Sequence, residues 1–412
     1  MQHLPVPRAL AAGAVLTTAA LLLSACATEV EQPIETSLQA RESVTLHLGA
    51  LLPQTGAAAA FAPAMEAAFT LAVEEINDAR LGVTIVPEIR DSGDSTTDTA
   101  VTSVDELLEA GATAIVGPLT DGVSRKIIQK VVDAGVVMVS PGNRSPDFST
   151  FADDDLYWRT APSCDQEGAA IGAAAAEHGH RTLVILAQYD LCGVGLPLSA
   201  AASFTAAGGK VQASKQFQST EPVETLVAAV TQAAPDAVVV LSTDVAVPLA
   251  QALVTAGFTA DELYFAGLPL DSRAAEFPGG EFTGAHAVSA GLDLTGIESF
   301  TDELLELNPA LSELRYAAET YDAVILLALG ALAAMGADGG QIAAQLRTVS
   351  GGTGAGEKAR TFAAAARIIV DGGVVDYDGP SGGIAFDAEG DPAEAAIGLY
   401  EYQEDHTFLR LR

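Results

Sequence analysis

The side chains that could carry catalytic or metal chemistry are scattered along this chain. Of six histidines, only His178 and His180 are close in sequence, and neither a nearby cysteine nor an i, i+4 histidine pair completes a metal-ligand pattern. A glycine-rich stretch at Gly351 resembles a phosphate loop, but Glu357 interrupts the required Gly-Lys and no strand precedes it. No Gly-x-Ser-x-Gly elbow occurs, and no nucleophile, base and orienting group converge. These patterns predict neither an enzyme nor a bound metal or cofactor.

A cysteine at the end of an apolar segment offers a different chemistry. Residues 9–25 are mostly apolar, follow Arg8 and end in small residues before Cys26. This segment is short for a membrane span of about 20 residues and is typical of a secretory signal. The letters "LSAC" that end at Cys26 resemble the lipobox of bacterial lipoproteins, which implies a lipid on the Cys26 sulfur. The alternative is a plain signal peptide with an incidental cysteine.

Composition and charge limit the classes of partner. The 412 residues are enough for two domains, and 49% of them are hydrophobic, so a large core can form. The formal net charge is −34, from 54 acidic and 20 basic residues. A surface with this much negative charge repels the phosphate backbone of nucleic acids and the headgroups of anionic lipids. We therefore expect no nucleic-acid partner and no adhesion to membranes through a basic patch.

Strands and helices alternate through the first half of the chain and would hold polar loops in place. "VTLHLGALLP" predicts a strand, and the helix after it carries one apolar stripe, at Phe61, Met65, Phe69, Val73 and Ile76. The strands "VTIVPEIRD", "ATAIVGP" and "GVVMVSPG" then alternate with helices over residues 99–110 and 123–134. Such alternation predicts parallel strands with helices on both faces of the sheet.

The same alternation begins again after Arg159. The strands "TLVILAQ", "KVQASKQF", "AVVVLS" and "ELYFAG" enclose helices at 196–207, 224–234 and 246–256. "GAHAVSAG" predicts a strand that returns toward the first unit, and further helices follow at 297–307, 311–335 and 341–348. The last part contains the strands "GVVDYDG", "GGIAFD" and "AIGLYEYQ" between turn residues. Two doubly wound α/β lobes result, with ligands expected beyond the carboxyl ends of their strands.

From about residue 45 onward the chain resembles bacterial solute-binding proteins of the leucine/isoleucine/valine-binding type. The stretches that carry the resemblance stand in order: "GALLPQTGAAAAFAPAMEAAFTLAVEEIN", "IVGPLTDGVS", "VVMVSPGNRSP", "YWRTAPSCDQEGAA", "RYAAETYDAVILLALGAL" and "GPSGGIAFDAEGD". The resemblance implies a type I periplasmic binding fold, in which two α/β lobes joined by a three-crossover hinge close on a small ligand. It also implies an ABC permease and its ATPase as partners.

The N-terminal pattern and this resemblance together give the expected organisation. Residues 1–26 are the lipoprotein signal and residues 27–43 a disordered tether. The N-terminal lobe comprises 44–161 and about 289–365; the C-terminal lobe comprises 162–288 and about 366–412. We expect an exported, monomeric protein, held by its lipid at the outer face of the cell membrane, or in the periplasm of a cell with two membranes. Its solute is expected to be small and polar, an amino acid or a related compound.

Alignment with the family also implies which loops touch the ligand. These loops offer backbone amides, hydroxyls and an aromatic ring. The candidate ligand-binding residues are Phe61, Thr120, Asp121, Gly142, Asn143, Arg144, Tyr189, Cys192, Thr243, Asp244 and Asp271. For each of them the alternative is a solvated loop side chain.

Two charged residues depart from the family pattern. Relatives hold a ligand carboxylate with hydroxyls and amides, whereas this chain offers Asp121 and Arg144. Arg144 suits a two-pronged contact with a carboxylate. Asp121 would repel a carboxylate unless it pairs with Arg144 or with a cation of the ligand, and Asp271 is the candidate acid for an ammonium group. The alternative for Asp121 and Arg144 is a surface salt bridge, and an amide or amine ligand stays open.

The two remaining cysteines are candidates for a disulfide. An exported chain reaches a compartment where disulfides persist, and both Cys164 and Cys192 follow predicted strands of the second lobe. Closing this loop would contribute roughly 3 kcal/mol. The alternative is two separate buried thiols.

Two functional classes fit the sequence. The first is a substrate-binding protein that delivers its solute to a permease, which a lipid anchor favours. The second is a ligand sensor on the same scaffold without a transport partner.

Overall fold

The computed structural model describes residues 43–189, 192, 194–243, 245–267, 277, 280–290, 297–393 and 397–411. These residues belong to one unit, Arg41–Arg412. The predicted signal segment with Cys26, almost all of the predicted tether, and the candidate residues Asp244 and Asp271 lie outside the described residues.

The first sheet is parallel throughout. Its strands are β1 Val44–Leu52, β2 Val83–Asp91, β3 Ala114–Val116, β4 Val137–Ser140 and β5 Tyr157–Arg159, in the order β2-β1-β3-β4-β5. The helices between them are α1 Ala62–Ala79, α2 Thr99–Glu109 and α3 Asp121–Asp133. β3 and β4 are buried along their whole length, as in sheets that helices cover on both faces. All carboxyl ends of these strands, and so the loops that follow them, lie at one edge.

The second sheet repeats this arrangement. Its parallel strands are β6 Thr182–Gln188, β7 Lys210–Phe217, β8 Ala237–Leu241, β9 Leu263–Ala266 and β10 His286–Ala290. The accompanying helices are α4 Cys164–Glu177, α5 Gly195–Ala206, α6 Val223–Ala233 and α7 Ala246–Thr255. Val184, Leu186, Val238 and Val240 point into one hydrophobic cluster, while Ile185 and Val239 join another. The sheet therefore has a core on each face, which is the physical reason for its continuous apolar strands.

After β10 the chain returns to the first sheet. Its next elements are α8 Glu298–Leu307, α9 Ala317–Ala334, α10 Gly339–Val349, β11 Glu357–Ala359, α11 Phe362–Val370, β12 Val375–Gly379 and β13 Gly382–Gly383. α9 packs on α1 and on strands of the first sheet, and α11 packs on both helices. The predicted boundary near residue 365 falls inside α11, whose buried residues are Phe362, Ala365 and Ala366.

The chain then crosses once more and completes the second sheet. β14 Ile397–Tyr402 and β15 Phe408–Arg410 pair antiparallel, and β14 lies antiparallel beside β10. The order of the sheet is β15-β14-β10-β9-β8-β6-β7. Three segments thus pass between the sheets: one between β5 and α4, one between β10 and α8, and one between β13 and β14.

α9 is the central helix of the first half of the molecule. Among the described residues it alone is long and apolar enough to cross a membrane, with a mean hydropathy of 1.5, yet 83% of the window is buried in the protein. Its burial against α1, α10 and the sheet accounts for its hydropathy. We predicted a helix over 311–335, but α9 begins at Ala317 because Tyr316 has a left-handed φ of 67°.

Small residues bring α4 close to α5. A Cβ on Gly172 would lie 2.2 Å from the carbonyl oxygen of Ala200, so only glycine permits this contact. The close packing fixes the direction of α4, whose N-terminus directly follows the first crossing segment. The helix α11 and the short strands β5, β11 and β15 were not predicted, and of "GGIAFD" only Gly382–Gly383 is a strand.

Candidate functional site

Two loops predicted to line the site lie side by side in the first sheet. One follows β3 and ends at Thr120, the residue before α3; the other follows β4. The Asp121 carboxylate accepts hydrogen bonds from the backbone N–H of Arg144 at 2.9 Å and from Nδ2 of Asn143 at 3.2 Å. A Cβ on Gly142 would lie 2.2 Å from Cδ1 of Leu119. The Asp121 carboxylate therefore holds the loop after β4 in place by accepting hydrogen bonds from N–H groups of that loop, and it does not pair with the Arg144 guanidinium.

Asn143 belongs to the interior. Its side chain has no exposed surface, and its Oδ1 accepts from Oγ of Ser124 at 2.5 Å and from the hydroxyl of Tyr157 at 2.9 Å. Its backbone N–H donates to Oγ of Ser140 at 3.0 Å. Oδ1 and Nδ2 of Asn143 both form hydrogen bonds within the protein, so the structure does not support the predicted ligand contact for this side chain.

Arg144 points to a partner that the sequence analysis missed. Its Nη2 donates to Oε2 of Glu167, in the first turn of α4, and the carboxylate is almost fully buried. The negative charge of Glu167 raises the pKa of Arg144 above its ordinary value. The alternative of a surface salt bridge fits poorly, because the exposed fractions are 24% for Arg144 and 2% for Glu167. The pair joins a first-sheet loop to a second-sheet helix.

An aromatic group lies close to Arg144. The rings of Phe61 and Tyr316 meet edge to face at 5.2 Å, and the Arg315 guanidinium lies 4.8 Å above the Phe61 ring. Burial raises the pKa of Tyr316, and the positive charge of Arg144 opposes this shift. Phe61 was predicted for the site, whereas Tyr316 was placed inside a predicted helix and was missed.

The start of α9 also contributes a carboxyl group. The carbonyl of Glu319 accepts from Oγ1 of Thr160, in the first crossing segment, at 2.8 Å. Burial raises the pKa of the Glu319 side chain to about 7. The sequence analysis did not foresee this carboxyl group, because its burial comes from tertiary packing and not from a local pattern.

A disulfide joins the second-sheet loops to this region. Cys164 and Cys192 are bonded, with Cα atoms 6.1 Å apart, and the backbone N–H of Cys164 donates to the carbonyl of Arg144 at 2.9 Å. The loop after β6 is thereby fixed beside the loop after β4. Tyr189 in the loop after β6 is 49% exposed.

The loop after β8 is joined to the last residue of β6. Oγ of Ser242 donates to Oε1 of Gln188 at 2.7 Å, which places the next residue, Thr243, beside the end of β6. Within the described ranges, no group of three or more His, Cys, Asp or Glu is arranged to hold a metal ion. The arrangement provides hydroxyls, amides, aromatic rings and the guanidinium groups of Arg144 and Arg315, which suit hydrogen bonding to a small solute.

The sequence of residues 45–404 matches the periplasmic binding protein family. The chain belongs to this family. Among curated proteins, none matches the chain. As a periplasmic binding protein it belongs to a family of extracytoplasmic solute-binding proteins, and the predicted family is confirmed.

Solved structures show the same fold. A leucine-binding protein LivK from Thermotoga maritima is 19% identical, with a TM-score of 0.64 and coverage of 89% of this chain and 98% of that one. A putative branched-chain amino acid ABC transporter from Rhodospirillum rubrum is 18% identical, with a TM-score of 0.69 over 90% of this chain and 100% of that one. LivJ from Streptococcus pneumoniae in complex with isoleucine is 17% identical, with a TM-score of 0.59 and coverages of 90% and 100%. The predicted type I fold with two α/β lobes is confirmed.

Proposed function

We propose that this periplasmic binding protein is the substrate-binding protein of an ABC importer and captures a small polar solute, an amino acid or a related compound, between its two lobes. The observation that carries the proposal is the meeting of loops from both sheets at Arg144. This residue follows β4 of the first sheet, pairs with Glu167 of α4 and lies beside the disulfide-linked loop after β6. In open α/β sheets, ligands bind at such carboxyl ends.

The proposed ligand-binding surface combines residues of both lobes. Phe61, Thr120, Gly142 and Arg144 come from the first lobe, and Tyr316 joins them because it contacts Phe61. Tyr189, Cys192, Thr243, Asp244 and Asp271 are the proposed residues of the second lobe. Asp121 acts through the loop it holds, since its carboxylate accepts backbone N–H groups of that loop.

The proposed cellular arrangement rests on the N-terminal sequence. Cys26 carries the lipid, residues 27–43 are the tether, and the folded monomer meets its permease and ATPase at the outer face of the membrane. Intact-mass analysis of purified protein tests the anchor. A mature chain that begins at Cys26 without added lipid mass would exclude it.

A thermal-shift screen tests the ligand class. Amino acids, amides and amines are added separately, and a solute that binds only the folded form raises the melting temperature. The best solute is then titrated against wild type and Arg144→Ala. We expect the variant to bind at least about ten-fold more weakly, because a charged hydrogen bond contributes about 1.5–3 kcal/mol. An unchanged dissociation constant would remove Arg144 from the site.

A further inference from the structure

Arg144 and Arg159 show two different ways of holding a carboxylate. Arg159 makes a bidentate contact with Asp391, in which Nε donates to Oδ1 at 2.5 Å and Nη2 donates to Oδ2 at 2.7 Å. Arg144 gives only Nη2 to Glu167, and its Nε–H is buried with no hydrogen-bond partner among the described residues. A buried donor without an acceptor is unfavourable, so this N–H is a position that an oxygen atom of a ligand would satisfy.

The positive charge of Arg144 already has a counter-charge in the protein. Glu167 is 2% exposed and contributes one negative charge beside the single positive charge of Arg144. The Asp121 carboxylate accepts from the backbone N–H of Arg144 at 2.9 Å and adds a second negative charge. An incoming carboxylate would therefore meet a neutralised guanidinium with two carboxylates nearby, whereas a carbonyl oxygen accepts the Nε–H without bringing charge.

We propose that Glu167 determines ligand specificity: by neutralising Arg144, it selects a solute that presents an uncharged carbonyl oxygen, such as an amide, over one that presents a free carboxylate. This inference rests on the proposed function, because it requires Arg144 to face the solute. It names the substrate class within the small polar solutes proposed above. It also gives a role to a residue absent from the candidates derived from the sequence.

Matched acid and amide pairs test the selection. Isothermal titration compares leucine with leucinamide, benzoate with benzamide and propionate with propionamide, on wild type and Glu167→Gln. Wild type should bind the amide of at least one pair about ten-fold more tightly than the acid. Glu167→Gln keeps an acceptor for Nη2 but removes the charge, so it should shift the acid-to-amide affinity ratio about ten-fold toward the acid.

Asp147→Asn is the matched control. Asp147 pairs with Arg125 at 3.0 Å in the loop beside Arg144, and both side chains are exposed, so this variant should leave the ratio unchanged. Unliganded melting curves check that each variant folds. Should Glu167→Gln fail to fold, Arg144→Gln serves instead, and it should weaken acid binding more than amide binding.

The outcomes separate this inference from the proposed function. A wild-type preference for the acid that Arg144→Ala abolishes overturns the inference and leaves the binding role in place. An affinity ratio that Glu167→Gln does not move also overturns it. If neither the solutes of the thermal-shift screen nor the matched acid and amide pairs bind, the inference and the proposed function are both contradicted.

Discussion

Asp391→Asn probes the buried ion pair that ties the third crossing segment to the first sheet. Arg159 is fully buried at the end of β5, and its only ion-pair partner among the described residues is Asp391. The same guanidinium donates to the carbonyl of Ser145 at 2.8 Å, and Asp391 also accepts from Oγ of Ser149 at 2.7 Å. The amide keeps the shape of the side chain but leaves a buried positive charge without its counter-charge.

The expected loss follows from that burial. Removal of one partner of a buried ion pair destabilises a protein by about 3–5 kcal/mol, and the retained amide oxygen favours the lower end of that range. Unfolding entropy near 2.1 cal/mol/K per residue amounts to about 0.8 kcal/mol/K for a unit of roughly 370 residues. The melting temperature should therefore fall by about 4 °C.

Circular dichroism melts at pH 7 measure the change. Asp147→Asn, in the exposed pair with Arg125, is the control, and it should shift the melting temperature by no more than about 1 °C, since exposed pairs contribute little. If Asp391→Asn melts together with wild type and the control, the buried pair does not hold the crossing segment and the reasoning fails.

Three further predictions concern the second lobe. Burial and a neighbouring histidine lower the pKa of His286 to about 4. The contribution of its neutral form to stability is therefore fully present above about pH 6.5, the ordinary pKa, and is lost as the pH falls toward 4. When the pH is lowered from 7.5 to 5, the free energy of unfolding of wild type, measured with urea, should fall by about 2 kcal/mol more than that of His286→Gln. Parallel pH profiles of the two proteins would contradict this. Gly172→Ala places a Cβ against the carbonyl oxygen of Ala200 and should lower the free energy of unfolding by about 1–3 kcal/mol. An unchanged urea midpoint would show that α4 can shift away from α5 without loss of stability. Replacing Cys164 and Cys192 by alanine should lower the melting temperature by about 4 °C, from roughly 3 kcal/mol of loop closure, and a reductant should then have no effect on the variant.

Local periodicity determined most of the α/β pattern of this protein. The strands "TLVILAQ" and "KVQASKQF" were predicted at the observed bounds of β6 and β7, and the stripe from Phe61 to Ile76 predicted α1. Such patterns are readable because a strand or helix repeats its burial every two or every 3.6 residues. The order of strand and helix also predicted that the loops after β3 and β4 lie at one edge of a parallel sheet.

Tertiary structure alone decided how the charged and polar residues of the site are used. Asn143 and Arg144 are adjacent loop residues in the sequence, yet one is sealed in the interior and the other reaches α4. Glu167 becomes the partner of Arg144 because the first crossing segment and the packing of α4 on α5 bring together two residues that are 23 positions apart in the chain. A hydrogen bond or ion pair depends on separations of a few ångströms between elements, and the periodicity of a single element contains no such distance.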